Sequence, residues 1–185
     1  MIWALAAVCA LATVPAGLRW LRVAQREHYL ASSVTVFAAR WWAHGPANLL
    51  LLLITVAGVI GSLWSPWLGL LVPVAQIGPI GLGMRGRTSP LAWTGRLRRL
   101  AVTWTVSTLA IYVAGGLIGS PTLVVLGLAL APLLVDVALL ALAPVERRLG
   151  KRWVDQAAQR LDASGARVVA ITGSYGKTTT KQYVA

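Results

Sequence analysis

Five long apolar runs, residues 2–18, 47–64, 67–83, 100–118 and 121–143, hold a single charged residue between them, Asp136. Each is long enough, or nearly so, to cross a ~30 Å hydrocarbon layer as a helix. Of the 185 residues, 57% are hydrophobic and 12% charged, whereas a typical soluble domain is ~25% charged. A water-soluble globule of this length cannot enclose so much apolar surface. Disorder is excluded because it needs low hydrophobicity. The single cysteine, Cys9, excludes a disulfide scaffold. The expected fold is an α-helical multi-span membrane region of five transmembrane helices. The first run has no basic residue before it and Arg19, Arg22 and Arg26 after it, the flanks of a retained span and not of a cleaved leader.

Charge sets the expected orientation. The chain carries 17 Lys and Arg against 5 Asp and Glu, a formal charge of +12. Every basic residue falls between the first and second runs, between the third and fourth, or after the fifth. The two other connections, Ser65-Pro66 and Gly119-Ser120, carry none. Positive loops stay in the cytoplasm, so the reading is N-out/C-in. Trp3, Trp20, Trp64 and Trp67 stand at ends of runs, as expected of rings at headgroup depth. Residues 29–43, semi-apolar and too short to span, read as an interfacial helix. Pro73 and Pro79 are expected to kink the third span.

Composition changes after residue 143. Pro144 can open a helix, and Val145, Leu149, Trp153, Ala157 and Leu161 recur on one face of it. Residues 144–165 thus read as an amphipathic cytoplasmic linker helix. Then follows the β-branched run 167–172, as expected of a buried parallel strand, and Gly173-Ser174-Tyr175-Gly176-Lys177-Thr178-Thr179-Thr180. Strand, glycine loop, Lys-Thr and helix form the context of a phosphate-binding loop. Glycines let successive N–H groups point inward at an anion; Lys177 reaches the terminal phosphates, and the Thr178 hydroxyl suits Mg²⁺. Ile171 stands where the common spacing has its first glycine, so this is the shorter G-x-x-G-K-T form. Residues 166–185 are therefore expected to begin an α/β ATP-binding domain.

The string Val169-Ala170-Ile171-Thr172-Gly173-Ser174-Tyr175-Gly176-Lys177-Thr178-Thr179-Thr180-Lys181 resembles the ATP-binding signature of the Mur ligase family. It is most similar to the branch that adds D-alanyl-D-alanine to the UDP-linked muramoyl tripeptide. Residues 24–29 and 144–146 resemble, less specifically, the membrane-anchored subset of that family. The resemblance implies amide synthesis in peptidoglycan precursor assembly through an acyl phosphate, with ATP and Mg²⁺ as cofactors. It implies that Gly173, Ser174, Tyr175 and Gly176 cradle the phosphates, that Lys177 is catalytic, that Thr178 holds Mg²⁺ and that Thr179 contacts the α- and β-phosphates. It also implies the bacterial inner membrane, with the ATP-binding tail in the cytoplasm. The family's downstream Mg²⁺ ligands and closing domain do not occur before Ala185, so the chain reads as the N-terminal part of such a ligase, inactive alone.

Other features carry less. Asp136 reads either as a helix-packing aspartate near the inner leaflet, paired with an arginine or kept protonated, or as a polar site for a lipid-linked substrate or a proton. His28 and His44 have no second ligand at metal spacing. Residues 85–99, rich in arginine, are explained by topology alone, with binding of an anionic lipid or an anionic precursor as the specific alternative. Membrane lipid is an expected partner and nucleic acid is not. Two further function classes stay open: an ATPase subunit of a transport or sensing system, and a non-catalytic membrane anchor.

Overall fold

A computed structural model describes residues 1–76, 78–82 and 91–165. All regular structure among them is helical. In chain order the elements are α1 (Ile2–Arg26), α2 (Ser33–Trp42), α3 (Pro46–Gly61), a 3₁₀ turn (Leu68–Leu70), α4 (Leu71–Ala75), α5 (Gly95–Ile118), α6 (Pro121–Ala129) and α7 (Ala131–Ser164). The chain divides into two compact units, Met1–Pro144 and Val145–Ala185.

The expectation of five spanning helices is corrected by these boundaries. Among the described residues, only α1 and α5 are by themselves long and apolar enough to cross a membrane. Two bent pairs, α2 with α3 (110°) and α6 with α7 (74°), raise the number to at most four. The strand and loop of the expected α/β domain fall on residues 166–185, outside the described residues.

Each difference has a local cause. The first run does not stop at its arginines, because nothing between Leu18 and Arg26 breaks a helix; α1 carries Arg19, Arg22 and Arg26 on its last turns. Trp20 is consequently fully buried, not at an interface. The third run makes only a 3₁₀ turn and the five-residue α4. Pro79 has no N–H to continue a helix. Pro73 lies inside the short α4, which stops at Ala75 before Pro79, so no kinked span is formed over the described residues. In the fifth run Pro132 cannot donate to the Leu128 carbonyl, and the helix breaks at Leu130. Pro144 opens no helix; it lies inside α7.

Capping fixes the starts of the remaining helices. Thr94 accepts the Leu97 N–H at 3.2 Å and begins α5. Ser120 accepts the Leu123 N–H at 3.3 Å, and Pro121 occupies the first position of α6, where no N–H is required.

In the first unit α1 is the central element, packed by α5 and α6. It runs antiparallel to α5: Trp3 lies against Gly116, Thr13 against Tyr112, Gly17 against Trp104, and Gln25 against Ala92. Gly17 is required by that packing, since a Cβ there would overlap the Trp104 ring. Apolar side chains are exposed on both α3 and α5, among them Leu50, Leu53, Val102, Val106, Leu117 and Ile118. Apolar exposure of this extent marks contact with a membrane or with another protein. In the second unit, described as far as Gly165, Val145, Trp153, Val154 and Leu161 are exposed.

Gly17→Leu is expected to force α1 and α5 apart at an overpacking cost of ~1–3 kcal/mol. The midpoint of thermal unfolding in detergent micelles should fall accordingly. Gly150→Ala, at an exposed helical position with open space around it, should instead raise helix stability by up to ~1 kcal/mol. Equal midpoints for these two variants would contradict the packing described.

Candidate functional site

Every residue of the expected phosphate site, Gly173, Ser174, Tyr175, Gly176, Lys177, Thr178 and Thr179, lies outside the described residues. The polar chemistry that is described gathers at one end of the first unit. The antiparallel pairing of α1 and α5 brings Arg19, Arg22 and Arg26 to the same end as Arg96, Arg98 and Arg99. Arg26 lies 5.4 Å above the Phe37 ring, which brings α2 and its Arg40 to this end as well. Arg96 lies 4.4 Å above the Tyr29 ring.

Three side chains bind the backbone of described residues between α4 and α5: Gln76, Gly78, Ile80, Leu82 and Ala92. Arg19 is 8% exposed. Its Nε donates to the Leu82 carbonyl at 3.1 Å, and its Nη1 donates to the carbonyls of Gly78 and Gln76. Asn48 Nδ2 donates to the carbonyls of Trp41, His44 and Ile80 at 3.1–3.3 Å. Its Oδ1 accepts the Ile80 N–H at 2.6 Å. Gln25 repeats that double pairing, donating to the Ala92 carbonyl at 2.7 Å and accepting the Ala92 N–H at 3.0 Å. Each carboxamide thus replaces a neighbouring strand for one residue. An unpaired buried peptide group costs ~1–3 kcal/mol, so the bonds of Arg19 and Asn48 let the non-helical backbone at 78–82 sit against apolar helices. The sequence signal was present: Asn48 stands alone in residues 47–54 as a polar side chain among aliphatic ones.

Asp136, 3% exposed, is resolved in favour of packing, with a partner the sequence did not reveal. Its Oδ1 accepts the Val34 N–H at 3.3 Å and its Oδ2 the Thr35 N–H at 2.7 Å. These are first-turn amides of α2, which has no acidic residue of its own there and whose Ser32 makes no capping bond. A carboxylate 101 residues away therefore caps the helix and meets the positive end of its dipole. The connection it secures is strained: His28, Tyr29 and Ser32 all have positive φ, between 56° and 69°, a conformation that disfavours residues other than glycine.

A slot of about 300 Å³ runs between α1 and α5. Its floor is formed by Thr13, Gly17, Trp104 and Tyr112. Thr13 donates to the Cys9 carbonyl at 2.8 Å and contacts the Tyr112 hydroxyl at 2.6 Å. With the Thr13 proton given to Cys9, the Tyr112 hydroxyl donates to Thr13, and the floor presents little free polarity. The slot is open along its length, and Trp93 stands at its basic end. Among the described residues no three His, Cys, Asp or Glu side chains are placed to hold a metal ion.

No family model, curated protein or solved structure matches the chain.

Asp136→Ala should leave two buried amides of α2 unpaired and destabilise the fold by ~1–2 kcal/mol, the usual loss of a capping residue. Hydrogen exchange in detergent should show Val34 and Thr35 exchanging at least about fivefold faster, as that loss implies. Amides in the middle of α5 should be unchanged. Unaltered protection at Val34 and Thr35 would show that the cap is not made.

Proposed function

We propose that this protein is a membrane-anchored, ATP-dependent carbon–nitrogen ligase of the Mur ligase type, acting in peptidoglycan precursor synthesis. The favoured reaction joins D-alanyl-D-alanine to a UDP-linked muramoyl tripeptide. The observation that carries this reading is the string 169–181, in which Thr172-Gly173-Ser174-Tyr175-Gly176-Lys177-Thr178-Thr179 supplies the donor set a nucleoside triphosphate needs. Glycine-rich backbone offers convergent N–H groups to phosphate oxygens. The Lys177 ammonium balances charge at the terminal phosphate, and the Thr178 hydroxyl is a hard oxygen ligand of the type Mg²⁺ prefers. ATP bound in this way supplies the free energy for amide formation; the residues of this chain bind and orient its phosphates.

The anchor supports the same reading. Two to four helices are long and apolar enough to cross a membrane. The basic end of the first unit, with arginines from α1, α2 and α5, has the bias of a cytoplasmic face. The Asp136 cap on α2 ties α7 to that same end. The bacterial inner membrane, with the phosphate loop on its cytoplasmic side, follows as part of the proposal, and ATP is available there.

The test is MgATP binding by the intact protein in detergent, measured by equilibrium dialysis with labelled nucleotide. Lys177→Ala should weaken binding roughly tenfold or more, because it removes a charge-assisted contact worth ~1.5–3 kcal/mol. In a full-length ligase carrying this segment, the same change should abolish ATP-dependent ligation while membrane insertion is unchanged. Nucleotide affinity undiminished by Lys177→Ala would end this reading.

A further inference from the structure

We propose that the slot between α1 and α5 is a binding site for one acyl chain of an acidic glycerophospholipid, whose phosphate headgroup is held by Arg22 and Arg98. This inference is independent of the phosphate loop and of the ligase reading.

The argument begins with helical spacing. Val14 and Leu18 line the slot on α1, and Arg22 follows at the next i+4 position, on the same stripe. Ala101, Thr105 and Leu109 line it on α5, and Arg98 precedes Ala101 by three residues on the same stripe. Because the helices are antiparallel, both lips end in an arginine at the same end of the slot. Arg22 is half-buried and Arg98 is exposed. Trp93, 49% exposed, stands at that mouth, where an amphipathic ring sits at headgroup depth.

The slot therefore combines an apolar length with a cationic end. That pattern matches an amphiphile with a hydrocarbon tail and an anionic head. Arginine is suited to phosphate because its planar fork donates two parallel hydrogen bonds. Its volume of about 300 Å³ has room for a single acyl chain at most, so a second chain stays in the surrounding bilayer. That geometry favours a two-chain lipid drawn from the bulk membrane over a free anion, which would leave the apolar length empty. Charge complementarity favours an acidic headgroup over a zwitterionic one.

The experiment uses the full chain in nanodiscs of phosphatidylcholine containing a small fraction of phosphatidylglycerol with a photoreactive group near the acyl end. After illumination, labelled peptides are mapped by mass spectrometry. Label is expected at the end of the slot away from the arginines, on Ala10, Val14, Leu109 and Tyr112. Arg22→Gln with Arg98→Gln should reduce it at least about fivefold, as loss of two cations beside an acidic headgroup implies. Arg147→Gln with Arg148→Gln should leave it unchanged. Thr105→Trp, which fills the slot and keeps both arginines, should also abolish the label. It keeps the test decisive if the double arginine variant fails to fold. Three results would overturn the proposal: equal labelling from photoreactive phosphatidylcholine, displacement of the label by an equimolar polyprenyl phosphate, or full labelling in Thr105→Trp.

Discussion

A peptide group placed against hydrocarbon must find its hydrogen-bond partner inside the protein. Helices meet this demand from within their own segment, and α1 and α5 do so over lengths sufficient to cross a bilayer. At Ile80, Leu82 and Ala92, between α4 and α5, peptide groups are met instead by side chains of other elements, Arg19 and Gln25 from α1 and Asn48 from α3. The rest of the first unit is arranged around that requirement. It explains why a guanidinium is buried in an otherwise apolar helix and why α1 extends past its arginines.

Asp136 solves the same problem at another place. A short helix lying beside longer ones leaves its first amides without partners. Here α2 begins on a strained residue that makes no cap of its own, and α7 lends it a carboxylate. The charge is offset by the helix dipole and by two N–H groups, so no basic partner is needed to hold it. The bend of 110° between α2 and α3 is in this way fixed from both sides, by Asp136 at the start of α2 and by Asn48 at the start of α3.

These devices concentrate polar chemistry at one end of the unit, where the arginines of α1 and α5 also meet. The proposed lipid site and the proposed cytoplasmic orientation draw on that concentration of charge. They use it differently: orientation depends on the number of basic residues, whereas the slot depends on two particular arginines ending two particular stripes. The ligase reading stands on other ground, the donor set of residues 173–179, which no described contact touches.

The residues alone decided the apolar character of the chain, its helical class over the described region, and the capping at Thr94 and Ser120, because these follow from composition and from near neighbours. Asn48 and Arg19 were visible as polar residues in apolar surroundings, but their targets were not. Tertiary structure decided which runs are continuous helices, since a proline can kink, end or enter a helix according to what else satisfies the freed carbonyl. It also decided the partner of Asp136, the burial of Trp20 and the placing of Arg22 and Arg98 at the same end of the unit. All of these join positions far apart in the chain, and local periodicity carries no information about which distant backbone groups lack a partner.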